Sequence, residues 1–98
     1  MTSITKNSGG VLPWSDDSIE NAPAEKGLYV LRSLPTQNGI AFIGYTDNLK
    51  KELKDKWENR EIPEVAWFDW YTVATKDYGE DLLKKWVEKY SPKLNLIG

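Results

Sequence analysis

Two apolar segments joined by a short turn constrain this chain more than any other part of its sequence. The first segment is GLYVLRSL, residues 27–34, and the second is IAFIGY, residues 40–45. The turn between them ends in Asn38-Gly39, a pair that favours a tight hairpin because both residues tolerate positive φ. The sequence therefore predicts an antiparallel β-hairpin whose two strands are neighbours in a sheet.

The hairpin leads directly into an amphipathic helix. Thr46 or Asp47 can cap its N-terminus, and the pattern predicts a helix over residues 48–58. Apolar side chains recur one turn apart on one face of this helix: Leu49, Leu53 and Trp57. The opposite face carries the basic residues Lys50, Lys51 and Lys54. These lysines are candidate nucleic-acid contacts, although a solvated helix face is the simpler interpretation.

A third strand and a last helix follow. VAWFDWYTV, residues 65–73, has the alternation of a strand, and the last helix is predicted to begin near Tyr78 and to end before Pro92. Asp77 and Glu80 have the spacing of a capping box. The element order predicts an α/β (α+β) domain with a three-stranded, largely antiparallel sheet flanked by helices.

The length and the ends of the chain predict a single domain. At 98 residues the chain has the size of one domain. Residues 1–12 are mostly polar and contain Gly9-Gly10, so we expect a flexible N-terminal tail there and the folded domain over residues 13–98.

Composition excludes several classes of chemistry. The chain has no cysteine and no histidine, so catalysis would have to use tyrosine, lysine, arginine or carboxylates. Its net charge of −2 shows no overall attraction to nucleic acid. No apolar run approaches the ~18 residues of a membrane helix, and no signal-peptide core is present. We therefore expect a cytoplasmic protein without a membrane partner.

The order of several short motifs resembles the GIY-YIG nuclease family. The motifs are GLY at residues 27–29, FIG at residues 42–44 followed by YTDNLKKEL, and KYSPKLN at residues 89–95. Each motif alone is weak, but together with Ala22-Pro23 upstream of Gly27 their order and spacing cover residues 22–95. The resemblance implies a GIY-YIG endonuclease-like fold with a three-stranded antiparallel sheet, in agreement with the element order.

The same resemblance implies a chemistry. Members of this family hydrolyse a DNA phosphodiester bond with a divalent metal. A tyrosine orients or deprotonates the attacking water, an arginine on the first helix stabilises charge on the phosphate, and a glutamate on the last helix holds the metal. Mg²⁺ or Mn²⁺ would be the cofactor if this chain were active, and none is expected otherwise.

Only part of the family's catalytic set is present when it is transferred residue by residue. Tyr29, Gly44 and Asn95 match the family's motifs. Phe42 stands where the second motif has a tyrosine, so a hydroxyl is lost. Tyr45 stands where a basic residue usually follows the second glycine.

The two charged positions of the set differ most. The resemblance places the family's arginine at Glu52 and its metal-binding glutamate at Leu83. Two like charges ~4 Å apart repel by roughly 4 kcal/mol at an effective dielectric of 20, which is ~3 orders of magnitude in rate. Glu80, one helical turn before Leu83, is a substitute metal ligand in principle, but its capping role is the simpler explanation.

These substitutions predict a GIY-YIG-type domain whose catalytic set is degraded. The preferred interpretation is a non-catalytic module that binds nucleic acid or an unidentified protein. One alternative is an active metal-dependent endonuclease that uses Tyr29, Tyr45 and either Glu80 or Glu52. Another is a protein–protein interaction module with no role in nucleic-acid binding.

Overall fold

A computed structural model describes residues 4–34, 39–59 and 64–90 of the chain. Within these ranges the chain alternates short strands with three helices. In chain order the elements are β1 (Ile4–Asn7), β2 (Leu12–Pro13), α1 (Asp16–Glu20), β3 (Gly27–Arg32), β4 (Ile40–Thr46), α2 (Leu49–Asn59), β5 (Trp67–Val73) and α3 (Lys76–Tyr90). None of the described helices has the length and hydropathy needed to cross a bilayer.

The sheet is antiparallel, and β3 lies at its centre. The strand order is β1-β5-β3-β4, and β2 also pairs with β5. The predicted hairpin is confirmed, since β3 pairs with β4 from Gly27 opposite Thr46 to Arg32 opposite Ile40. Its predicted turn includes residues 35–38, which lie outside the described residues.

The sheet has five strands rather than the predicted three, because two N-terminal segments pair with β5. β1 pairs beside residues 71–73, and the hydroxyls of Thr5 and Thr72 lie 2.6 Å apart. β2 pairs beside Trp67 and Phe68. Residues 4–7 and 12, within the segment expected to be a tail, thus lie in strands of the sheet. β1 can form with mostly polar side chains because it lies at the border of the sheet, where three of its four residues are exposed.

Side-chain caps begin the first two helices. Ser15 caps α1, and its hydroxyl accepts a hydrogen bond from the backbone N–H of Ser18. The cap of α2 is Asn48, whose side-chain oxygen accepts from the N–H of Lys51 at 3.1 Å. Thr46, one of the two predicted caps, accepts instead from the N–H of Asn48. The predicted helix is therefore correct, but its cap lies one or two residues later.

Each face of the sheet has its own core. On the face covered by α1 and α2, here called the α2 face, the buried cluster contains Ile19, Tyr29, Leu31, Leu49, Leu53, Phe68 and Trp70. On the other face, here called the α3 face, buried strand residues pack against the last helix: Leu28, Val30, Ile40, Ile43 and Val73. Because successive strand residues point to opposite faces, β3 supplies both cores.

A buried ion pair joins β3 to β5. The Arg32 guanidinium donates to both carboxylate oxygens of Asp69, from Nε at 2.9 Å and from Nη2 at 3.2 Å. Only 11% of the Arg32 side chain and 4% of the Asp69 side chain are exposed. The Tyr71 hydroxyl also donates to Asp69, and burial followed by this hydrogen bond raises the pKa of Tyr71. Asp69 is thus accommodated in a sheet core by two donors.

Replacing Asp69 should destabilise the domain much more than replacing an exposed partner of a lysine. Asp69→Asn removes the charge that compensates a nearly buried guanidinium, so we expect a loss of about 3 kcal/mol in the free energy of unfolding. Asp55→Asn, which breaks the exposed pair with Lys51, should cost less than about 0.5 kcal/mol. Urea unfolding of both variants measures the difference. Equal losses would show that the Arg32–Asp69 pair contributes no more to the free energy of unfolding than an exposed ion pair does.

Candidate functional site

The motif residues Tyr29, Phe42 and Gly44 come together on the α2 face. Tyr29 on β3 lies directly opposite Gly44 on β4, and the rings of Tyr29 and Phe42 are 6.0 Å apart between centroids. A Cβ atom on Gly44 would lie 2.5 Å from both Cζ and the hydroxyl oxygen of Tyr29. Gly44 is therefore a glycine because the tyrosine ring packs against its backbone.

Tyr29, Glu52 and Lys56 form a connected polar network at this place. The hydroxyl of Tyr29, a residue that is 2% exposed, donates to Oε2 of Glu52 at 2.9 Å. The ammonium of Lys56, one turn further along α2, lies 3.6 Å from the same oxygen. Lys56 also lies over the Phe42 ring, 5.6 Å from its centroid. We call these three residues the Tyr29–Glu52–Lys56 network.

The network satisfies its own charges. Oε2 of Glu52 faces both a hydroxyl donor and an ammonium, so the negative charge of the carboxylate is balanced within the site. A partly buried lysine held by a carboxylate and an aromatic ring is also a less available phosphate ligand than an exposed one. The arrangement therefore stabilises the contact between the hairpin and α2. Lys56, the cation of the network, is paired with Glu52.

Tyr45 lies on the other side of the sheet from this network. It packs against the core of the α3 face, and a Cβ atom on Gly79 of α3 would lie 2.5 Å from its Cε1. Its hydroxyl donates to the Asp47 carboxylate at 3.1 Å. Burial, that hydrogen bond and the negative charges of Asp47 and Glu80 raise the pKa of Tyr45 to about 12. This environment favours the protonated phenol of Tyr45.

The two α3 positions weighed as metal ligands, Leu83 and Glu80, have different surroundings. Leu83 packs against the core of the α3 face, while Glu80 is exposed. The predicted capping box is wrong, because Lys76 begins α3 and the Thr75 hydroxyl accepts from the N–H of Tyr78. Glu80 therefore has no capping role.

The residues that the structure describes do not fit the divalent metal that the resemblance implies. Across residues 4–34, 39–59 and 64–90, no group of three or more histidine, cysteine, aspartate or glutamate residues could hold a metal ion. One carboxylate oxygen of Glu52 is already engaged by a tyrosine and a lysine. Asn95, the remaining family position, lies outside the described residues.

The three lysines predicted as nucleic-acid contacts all lie near carboxylates. Glu20 of α1 pairs with Lys54 at 2.7 Å and lies 3.8 Å from Lys50. Lys51 pairs with Asp55 at 3.3 Å. The hydrogen bond from Lys54, followed by the charges of both lysines, lowers the pKa of Glu20. This helix face is therefore a mixed-charge surface rather than a positive patch.

Tyr29 and Glu52 were identified as candidate site residues from the sequence, but their partner Lys56 was not. A signal for it exists, because a glutamate followed four residues later by a lysine is a favourable pair on a helix. The contact between residues 29 and 52 carries no such local signal, since it depends on how α2 packs on the sheet. Asp69 was missed as well, although a charged residue inside an aromatic strand indicates a buried partner.

Comparison with known proteins gives a clear answer for the fold. No protein-family model and no curated protein matches the sequence. The magnesium-bound GIY-YIG N-terminal endonuclease domain of UvrC from Thermotoga maritima superimposes with a TM-score of 0.67 at 21% identity, covering 79% of this chain and 90% of that one. A cation-bound point mutant of that domain superimposes with a TM-score of 0.66 at 23% identity, with the same coverage. The chain therefore has the GIY-YIG fold, as predicted.

The close approach of Gly44 and Tyr29 has a measurable consequence. Gly44→Ala places a methyl group against the Tyr29 ring, so we expect a loss of about 2 kcal/mol in the free energy of unfolding. Combining it with Tyr29→Leu should cost less than the sum of the two single losses, because the shorter side chain removes the contact. Urea unfolding of the two single variants and the double variant measures this coupling. Strict additivity would mean that the ring does not require the glycine.

Proposed function

We propose that this chain is a non-catalytic binding module built on the GIY-YIG nuclease fold. The observation that supports this most is the position of the Glu52 carboxylate. It accepts a hydrogen bond from the Tyr29 hydroxyl and faces the Lys56 ammonium. The resemblance places an arginine at this position in active members. Here a negative group stands in its place and is held there by two partners.

The chemistry of phosphodiester hydrolysis explains why this substitution matters. Negative charge grows on the phosphate in the transition state, and catalysis depends on positive groups and a metal aimed at that charge. Glu52 cannot supply the positive charge of an arginine to the phosphate, and Leu83 offers no oxygen to a metal. Tyr29 remains, but its hydroxyl hydrogen-bonds to Glu52. The family's mechanism would therefore lack both its arginine and its metal ligand.

The charge pattern favours a protein over DNA as the partner. Lys50, Lys51 and Lys54 have carboxylates within 4 Å, and the chain as a whole is slightly acidic. A DNA-binding face needs cations that can exchange their counterions for phosphates. The active-endonuclease alternative requires another set of carboxylates to hold a metal, and the described residues provide no support for one.

A plasmid-nicking assay tests the loss of catalysis. Purified protein incubated with supercoiled plasmid and Mg²⁺ or Mn²⁺ should leave the plasmid supercoiled. Tyr29→Phe, which removes the motif hydroxyl, is the control for contaminating nucleases. Nicking by the wild type and not by this variant would show that the chain is an active endonuclease, and the proposal would be wrong.

A binding measurement tests the partner class. If Glu20 holds Lys50 and Lys54, the wild type should bind duplex DNA weakly, and Glu20→Gln should raise the affinity and steepen its dependence on log salt by up to about 2. Glu88→Gln on α3 makes the same charge change away from these lysines. Fluorescence anisotropy with a labelled duplex over a salt series measures both. Tight, strongly salt-dependent binding by the wild type would identify nucleic acid as the partner.

A further inference from the structure

A cavity on the α3 face has no role in the proposed function. Its volume is about 170 Å³, and it lies between the sheet and the C-terminal half of α3. Among the described residues, Val30, Ile40 and Ile43 form its aliphatic side. Tyr29 and Glu52 are not among its lining residues, so it is separate from the Tyr29–Glu52–Lys56 network.

The remaining walls are aromatic and polar. Tyr71 and Trp86 pack edge to face, with ring centroids 5.1 Å apart and an interplanar angle of 78°. Tyr90 and Arg32 complete the described lining. Small-molecule sites typically have this combination of apolar and aromatic walls with a few fixed polar groups.

Hydrogen bonds and packing hold these walls in place without a ligand. Asp69 fixes the Arg32 guanidinium through two hydrogen bonds and also accepts from the Tyr71 hydroxyl. Trp86 is held by its contact with Tyr71. The cavity is therefore preformed, so a ligand would not have to order its walls.

Size and charge together restrict the ligand. A cavity of about 150 Å³ in another protein accommodates benzene, so the space here suits one six-membered ring. The guanidinium charge is balanced by Asp69, so the site attracts neither anions nor cations strongly. Aromatic walls favour a planar ring, and the polar groups favour one with hydrogen-bonding atoms.

We propose that this cavity binds a small, uncharged, planar heteroaromatic ring of about the size of a pyrimidine base. The ring would lie against the Tyr71 and Trp86 side chains, with its polar edge toward Arg32. Such a ring could arrive as a free metabolite or as an unstacked base of a single-stranded nucleic acid. The proposal goes beyond the non-catalytic role and does not depend on it.

NMR titration of the full-length, isotope-labelled protein tests this site. The probe is uracil, and the control probe is cyclohexanol, which has a ring of similar size that is neither planar nor aromatic. Uracil should cause saturable shifts in the methyl signals of Val30, Ile40 and Ile43 and in the Trp86 indole signal. No shifts up to the solubility of uracil, or equal affinity for cyclohexanol, would overturn the proposal.

Matched variants locate the binding. Ile40→Phe fills the cavity and should weaken uracil binding by about tenfold or more. Leu12→Phe makes the same kind of change at a partly buried residue of the α2 face and should leave the affinity unchanged. If Ile40→Phe does not fold, Trp86→Leu removes one aromatic wall and should also weaken binding. Unchanged affinity in a folded cavity variant would contradict the assignment.

A third titration distinguishes the two sources of the ring. Oligothymidine is added to the labelled protein in place of free uracil. Shifts of the same cavity signals would show that the ring can be supplied by a nucleic-acid strand. Binding of uracil alone would support a free small molecule as the ligand.

Discussion

The pairing of β3 with a strand on each side is the constraint on which the rest of the structure depends. It puts Tyr29 between Gly44 and Trp70, and it puts Val30 between Ile43 and Asp69. Because successive side chains point to opposite faces, one strand contributes to two unrelated sites. Its odd-numbered residues build the α2 face with the polar network, and its even-numbered residues build the α3 face with the cavity.

The sequence predicts the elements of this fold well and their contacts poorly. The hairpin of β3 and β4 is recoverable because alternation, turn chemistry and chain proximity agree locally. β1 and β2 were not predicted, since four and two residues are too short for a periodic signal. For the candidate site, motif spacing identified Tyr29 and Glu52, but their hydrogen bond depends on tertiary packing across 23 positions. A charge inside an aromatic strand signals that Asp69 has a partner, but the identity of that partner, Arg32, depends on tertiary packing in the same way.

The packing contacts of this fold are independent of the charged positions that the resemblance assigns to catalysis. Two glycines allow tyrosine rings to pack against the backbone: Gly44 contacts the Tyr29 ring, and Gly79 contacts the Tyr45 ring. Those contacts stabilise the fold and do not require a charged side chain at the site. Glu52 satisfies the Tyr29 hydroxyl, so a position associated with catalysis in the family has a structural partner here. A shared fold is therefore compatible with a different function.

The way β1 and β2 border β5 affects how the protein behaves at high concentration. An exposed sheet edge is a template for strands of other molecules and hence for aggregation. On this side, β1 is interrupted by an irregularity between Ile4 and Lys6, and β2 ends in Pro13, which has no backbone N–H. This border of the sheet is therefore a poor template for a further strand.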